Sequence, residues 1–359
     1  MYEQYESILD SRLNPNFALE TKQGQGSQHK MMSAKGGFNP DMRDQISGRF
    51  DQSALRADFS NEKSGLKEIK TSRQGSPTEG EDSLFKDPSL TCHVISVVNQ
   101  KGGCGKTTTA INLCACLASL GLNVLLIDTD PQAQASLGLG VDVESGALNL
   151  FHVFVNGVEI EKAVLPTNIE RLSILPSHSV LSGASLSLMS FMARESILKT
   201  ALKKFLSRHS YDYVILDCSP ALNLITINCL AASKFVLIPF QTHYFSLEGM
   251  KELFHTIEVT KERLNPELKI LGLLPTLFDA RTKINEEILA QARDYFKELV
   301  FESVIRVNVK LCEAPMHKEP IHVYAQSSAG AADYWQLTRE VLERTHKQIE
   351  SIVDRINSK

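Results

Sequence analysis

The sequence predicts an α/β fold: a doubly wound, mostly parallel sheet preceded by a disordered N-terminal arm. Three observations predict it. Short β-branched runs alternate with helical stretches from residue 93 onward, a glycine-rich turn joins the first run to the first helix, and composition changes abruptly near residue 90. Strands that alternate with helices need crossover connections, and such connections build parallel sheets with helices on both faces.

Residues 1–90 are rich in Ser, Gly, Gln, Asn and charged residues, and their apolar residues follow no sustained period. Such a segment buries too little apolar surface to offset its ordering entropy. It reads as an arm, with short helices expected around 2–12 and 53–70 and a linker over 72–82. Residues 91–345 form the folded domain, and 346–359 a helical tail.

Val94-Ile95-Ser96-Val97-Val98 is a buried strand. A helix over 107–120 follows, with Ala110, Leu113, Cys114, Leu117 and Leu120 on one face and Gly121 as its stop. Val124-Leu125-Leu126-Ile127 is the second strand, ending in Asp128, and the pair makes a βαβ unit. Further strands are expected at Leu172-Ser173-Ile174-Leu175, at Tyr213-Val214-Ile215-Leu216 ending in Asp217, at Phe235-Val236-Leu237-Ile238 ending at Pro239, and over 270–274. Helices are expected over 247–264, 284–299 and 329–356.

The chain has 359 residues and a formal net charge of −4, so nucleic-acid binding would have to come from a local basic patch. No apolar run reaches the ~18 residues of a membrane span. The first residues show no basic stretch followed by an apolar one, so a signal peptide is not expected. The seven cysteines form no CxxC pair and sit in apolar runs or in the glycine-rich turn, which points to a reducing, cytoplasmic compartment. Cys114 and Cys116 read as small helix-packing residues.

The chemistry centres on Lys101-Gly102-Gly103-Cys104-Gly105-Lys106-Thr107-Thr108. A glycine-rich turn between strand and helix aims successive backbone N–H groups at one point, and the helix N-terminus adds about half a positive charge there. That nest suits the phosphates of ATP. Lys106 can reach the β- and γ-phosphates, and the Thr107 hydroxyl can meet Mg²⁺. The strict GxxxxGK[ST] pattern fails at Gln100, and Lys101 is gained. Cys104 reads as a replaceable small residue pointing away from the phosphates. Asp128-Thr129-Asp130-Pro131-Gln132 and Asp217 lie at carboxyl ends of strands, where ligands bind in open sheets. Asp128 or Asp130 can orient a water or touch the metal shell, and Asp217 fits the position that holds Mg²⁺. Together they point to nucleotide hydrolysis, which needs positioning and charge neutralisation more than a covalent nucleophile.

With these residues placed, the chain resembles the ParA/Soj family of deviant-Walker partition ATPases, a P-loop group that also holds the MinD proteins. The likeness runs from about His93 to Arg344. It rests on Asn99-Gln100-Lys101-Gly102-Gly103-Cys104-Gly105-Lys106-Thr107-Thr108-Thr109, Asp128-Thr129-Asp130-Pro131-Gln132, and Tyr211-Asp212-Tyr213-Val214-Ile215-Leu216-Asp217-Cys218. Tyr244-Phe245-Ser246-Leu247-Glu248-Gly249, Asp279-Ala280-Arg281-Thr282 and Glu313-Ala314-Pro315 extend it. The resemblance implies slow, Mg²⁺-dependent and partner-stimulated ATP hydrolysis. It implies an ATP-bound homodimer in which Lys101 reaches the partner subunit's phosphates, and Asp130 supporting the hydrolytic water. It also implies DNA binding without sequence preference through positions held here by Arg281 and Lys310, a ParB-like activator, and nucleoid association. The cargo would be chromosome, plasmid or a protein cluster.

The chain departs from the family where Gly-Asn after Asp-Pro-Gln becomes Ala133-Gln134, and where Pro-Pro after Asp-Cys becomes Ser219-Pro220. The alternative is a MinD-like membrane-associated positioning ATPase, which needs a basic amphipathic C-terminal helix. The tail instead carries Glu340, Glu343, Glu350 and Asp354, so no membrane partner is expected. An iron–sulfur carrier would need cysteines placed to bridge a dimer, and neither Cys218 nor Cys312 offers that. A non-enzymatic DNA-binding scaffold is the third reading.

Overall fold

The first folded residues pair with strands far along the chain, so the phosphate loop starts from the middle of the sheet. The computed structural model describes residues 92–144, 146–242 and 250–345. The elements run β1 (His93–Val97), α1 (Lys106–Ser119), β2 (Val124–Asp128), α2 (Gln134–Gly138), α3 (Leu150–Asn156), β3 (Leu165–Pro166) and β4 (Leu172–Leu175). They continue as α4 (Ala184–Ser187), α5 (Ile197–Leu206), β5 (Tyr213–Asp217), α6 (Leu224–Ala232), β6 (Phe235–Gln241), α7 (Lys251–Arg263) and β7 (Lys269–Phe278). Last come α8 (Lys283–Phe296), β8 (Ile305–Arg306), α9 (Val309–Glu313), α10 (Ile321–Tyr324) and α11 (Ala329–Arg344).

The eight strands lie in the order β3-β4-β2-β5-β1-β6-β7-β8. Every neighbouring pair is parallel except β3 with β4 at one edge. The sheet is thus doubly wound and mostly parallel, as the alternation predicts. β1, β2 and β5 are buried along their whole length, which is why their sequences read as continuous apolar runs and not as alternating ones. Register sets Val97, Asp217 and Asp128 side by side on three adjacent strands. The loop after β1 and the carboxylates ending β5 and β2 therefore share one edge of the sheet.

α1 is buried on nearly every side, including the polar Thr109 and Asn112. It packs between the sheet and α11, whose Tyr334 and Trp335 are among the largest fully buried side chains. Gly121, with φ +84, stops the helix in the left-handed conformation that favours glycine.

Three boundaries differ from the expectation. β6 runs through Pro239 to Gln241. The Val98 N–H donates to the Leu237 carbonyl, and Pro239, two residues on, faces the same side beyond the last β1 pairing. A missing N–H there costs no ladder bond. α8 ends at Phe296 because Lys297 turns to φ +51, and residues Lys297–Leu299 form a tighter turn. β7 runs to Phe278, past the expected end, across a bulge at Leu277. The expected arm over 1–90, the Tyr244–Gly249 motif and the tail over 346–359 lie outside the described residues. Among the described residues, no helix is long and apolar enough to cross a membrane.

Candidate functional site

The loop from Lys101 to Gly105 is built by two left-handed glycines, the Asn99 side chain at its entry and two side chains from neighbouring strands. Gly103 and Gly105 take φ of +70 and +85, which a residue with a Cβ adopts only under strain. The Asn99 amide spans the entry, accepting from the Lys101 N–H at 3.0 Å and donating to the Pro239 carbonyl at 2.7 Å. Gln241, the last residue of β6, donates to the Gly103 carbonyl at 2.7 Å. Thr276 of β7 donates its hydroxyl to the Cys104 carbonyl at 2.8 Å and to the Phe240 carbonyl at 3.0 Å. With the Gly103 and Cys104 carbonyls held by neighbouring strands, the amide groups of this turn before a helix N-terminus are left to phosphate.

The two lysines of the loop part company. Lys106 is buried, and its Nζ donates to the Lys101 carbonyl at 3.0 Å. Lys101 is exposed, with no ion pair among the described residues. Gly102 and Gly103 are also exposed at the mouth, while Thr107 and Thr108 on the first turn of α1 are half-buried. Cys104, expected as a small residue pointing away from the phosphates, lies in the interior. It is fully buried under the loop, 3.9 Å from Lys106 Nζ, and burial pushes its thiol pKa up.

The two carboxylates set side by side by the sheet stand in opposite conditions. Asp128 is saturated: Oδ2 accepts the Ser136 N–H at 2.9 Å and the Ser136 hydroxyl at 2.7 Å, and Oδ1 accepts the Asp130 N–H at 3.1 Å. Burial pushes its pKa up to about 6 against the pull of the Ser136 bonds. These donors also hold the Asp130 turn and the start of α2 in place. Asp217 is the reverse. It is fully buried, and neither carboxylate oxygen closes a hydrogen bond. Burial, then the neighbouring Asp128 charge, raise its pKa well above the carboxylate range, while the Thr107 hydroxyl and the Lys106 ammonium pull it down. A buried carboxylate left without donors, with a threonine hydroxyl beside it, suits a hard divalent cation that takes oxygen ligands. Magnesium fits Asp217 and Thr107.

Asp130 is half-buried and turns its Oδ1 to the Gln132 N–H at 2.9 Å. Ala133, where the family has glycine, takes φ +52. Arg281 and Lys310 are exposed, and each already holds an acid. Arg281 grips Asp279 in a fork of 2.8 and 2.7 Å, holding that carboxyl down to about 2. Lys310 meets Glu313 at 2.8 Å, which also accepts from the Tyr324 hydroxyl. Sequence reasoning missed Asn99, Ser136, Gln241 and Thr276 as site-builders. Gln241 and Thr276 carry a readable signal, since both are polar residues at the carboxyl ends of apolar strands.

Residues 92–270 match an AAA domain. The chain is 41% identical over 248 residues to the sporulation initiation inhibitor protein Soj of Bacillus subtilis, a match covering 69% of this chain and 97% of Soj. It is 42% identical over 251 residues to the chromosome partitioning protein ParA of Myxococcus xanthus, covering 70% of this chain and 88% of that protein. Among solved structures, a cobyrinic acid a,c-diamide synthase from Mycobacterium smegmatis with bound ATP analogue and magnesium superposes with a TM-score of 0.62 at 33% identity. That match covers 71% of this chain and 96% of the other. With phosphate loop, buried carboxylates and sheet order all in place, and with named relatives matched along most of their length, the chain belongs to the ParA/Soj family of P-loop partition ATPases.

Proposed function

We propose that this ATPase dimerises on binding ATP, holds DNA without sequence preference, and with a ParB-like activator segregates or positions a chromosome, plasmid or other cargo. The observation that carries the reading is the split between the loop lysines: Lys106 is buried and turned into its own loop, while Lys101 stands exposed at the mouth. A lysine so placed serves phosphates presented by a second copy better than those in its own nest.

The loop amides and Lys106 bind and neutralise the phosphates, with Gly102, Gly103, Cys104, Gly105 and Thr108 forming the cradle. Thr107 and Asp217 hold magnesium, which when bound supplies positive charge against the phosphate oxygens. Asp130 orients water, its turn held by the saturated Asp128. Arg281 and Lys310 face the DNA backbone. Their ion pairs with Asp279 and Glu313 lie at the surface, where solvent screens them, so phosphate displaces the carboxylates at small cost. The relatives' names, Soj and chromosome partitioning protein ParA, support the cellular role. Nucleoid association follows from DNA binding.

The test is size-exclusion with light scattering and a low-salt gel shift, run with ADP and with a slowly hydrolysed ATP analogue. The expected result is a dimer and retained DNA with the analogue only, both lost in Lys101→Ala while monomeric nucleotide binding survives. A variant that still dimerises would overturn the shared-phosphate arrangement. Lipid-dependent but not DNA-dependent pelleting of the wild type would favour a MinD-like role.

A further inference from the structure

The side chain that holds the Gly103 carbonyl belongs to the residue before Thr242, and Thr242 begins a chain of hydrogen bonds that starts in the interior and ends at the surface. Thr242 is fully buried, and its hydroxyl donates to the Asn285 amide oxygen. The Asn285 amide nitrogen donates to the Thr282 hydroxyl, and that hydroxyl donates to the Asp279 carbonyl at 2.9 Å. Asp279 holds Arg281 through both its backbone N–H and its guanidinium. Every donor in the series is used once and in one direction. A route thus joins the phosphate loop to the turn that carries Arg281, passing along the backbone from Gln241 to Thr242, through the side chains of Thr242, Asn285 and Thr282, and onto the Asp279 backbone.

A second route runs alongside. Thr276 holds the Cys104 carbonyl, and two residues later β7 reaches Phe278 and then Asp279. Between them Leu277 sits at φ +51, at the bulge where the pairing with β8 shifts register. A non-glycine residue in that conformation stores strain, and strain of this kind gathers where a segment has two arrangements to choose between. Both routes grip loop carbonyls that move if the loop tightens on phosphate.

We propose that Asn285 and Thr282 are positioning residues that couple the state of the phosphate loop to the placement of Arg281, so that nucleotide sets the affinity for DNA through this chain. The proposal rests on the reading above that Arg281 meets DNA. Neither residue belongs to the phosphate loop, and neither is basic. Asn285 is buried at the start of α8, and its amide is the link that accepts from one side and donates to the other. Coupling between two sites is reciprocal, so DNA bound at the Arg281 turn must also strengthen nucleotide binding by the same factor.

The experiment measures DNA affinity by fluorescence anisotropy with ADP and with a slowly hydrolysed ATP analogue, and analogue affinity with and without DNA. The variants are Asn285→Ala, Thr282→Val and Thr282→Ser. Thr282 gives no side-chain cap to α8, so valine removes the bridging hydroxyl without removing a helix cap. In Asn285→Ala and Thr282→Val, the ratio of DNA affinities between the two nucleotides is expected to shrink by about fivefold or more. Analogue affinity without DNA stays at the wild-type value, and Thr282→Ser behaves as wild type. If Asn285→Ala fails to fold, Thr282→Val decides. An unchanged ratio in folded Thr282→Val overturns the proposal, and so does an equal loss of DNA affinity in both nucleotide states. A wild type with no nucleotide-dependent DNA binding would instead sink the functional reading, and this inference with it.

Discussion

Ser136 meets Asp128 twice, its backbone N–H at 2.9 Å and its hydroxyl at 2.7 Å both ending on the same carboxylate oxygen. The other oxygen holds the Asp130 N–H. A hydrogen bond to a charged, buried group is worth about 1.5–3 kcal/mol. Ser136→Ala removes one such bond and loosens the turn that presents Asp130. Phosphate release is expected to slow by about tenfold, equivalent to roughly 1.4 kcal/mol on the barrier. Nucleotide affinity, read by a fluorescent analogue, stays within about twofold because the loop amides are untouched.

Asp217 should make magnesium binding sensitive to pH. Its pKa is raised in the cation-free fold, burial being the first cause. The sign follows from linkage: its contribution to stability is fully present below the unfolded-chain pKa and is lost as pH rises through the raised folded value. A bound cation favours the ionised form, so binding releases a proton and affinity for Mg·ATP rises with pH. Titration calorimetry in buffers of different ionisation enthalpy reads the released proton directly. Asp217→Asn is expected to abolish both the proton release and the magnesium dependence.

Arg281 and Asp279 predict opposite effects on DNA. Removing one phosphate contact lowers the salt slope of binding by about one. Arg281→Ala is therefore expected to weaken binding on all sequences alike and to flatten the slope by that amount. Asp279→Ala frees the guanidinium from its 2.7 Å fork and removes a negative charge, so binding tightens. Anisotropy titrations at several salt concentrations check both, and an unchanged slope in Arg281→Ala would remove it from the interface.

Ala133 carries a conformational cost where the relatives' pattern has glycine. At φ +52 its Cβ crowds the backbone, a penalty of about 1–2 kcal/mol per residue in the left-handed region. Ala133→Gly relieves it and returns part of the gain as chain entropy, leaving a stabilisation of about 0.5–1 kcal/mol. The melting temperature rises accordingly. A fall would mean that the methyl contributes packing which outweighs the strain.

The sheet was legible because fully buried parallel strands announce themselves as apolar runs, as Val124–Asp128 and Tyr213–Asp217 do. The loop was legible because left-handed backbone at 103 and 105 requires glycine. What the sequence withheld was partnership. Asp128 and Asp217 look alike as strand-terminal acids, and only Ser136, eight residues after one of them, tells them apart. Pro239 looked like a strand end because its missing donor matters only when a neighbour is there to receive it, and β1 has already stopped. Arg281 and Lys310 were found by resemblance, but their pairing with Asp279 and Glu313 depends on rotamers that no motif encodes.

The place of β1 in the sheet has a consequence for how the chain is made. β1 is the first strand of the described domain to be synthesised, yet its partners β5 and β6 come from the middle of the chain. The Thr276 hydroxyl that holds the Cys104 carbonyl lies 172 residues downstream. Pairings so distant in sequence form late, because the chain entropy between them is lost before any contact compensates for it. A chain ending before β7 therefore carries the complete phosphate-loop motif without its Thr276 support, so possession of the motif and possession of the shaped loop are separated by 172 residues of synthesis.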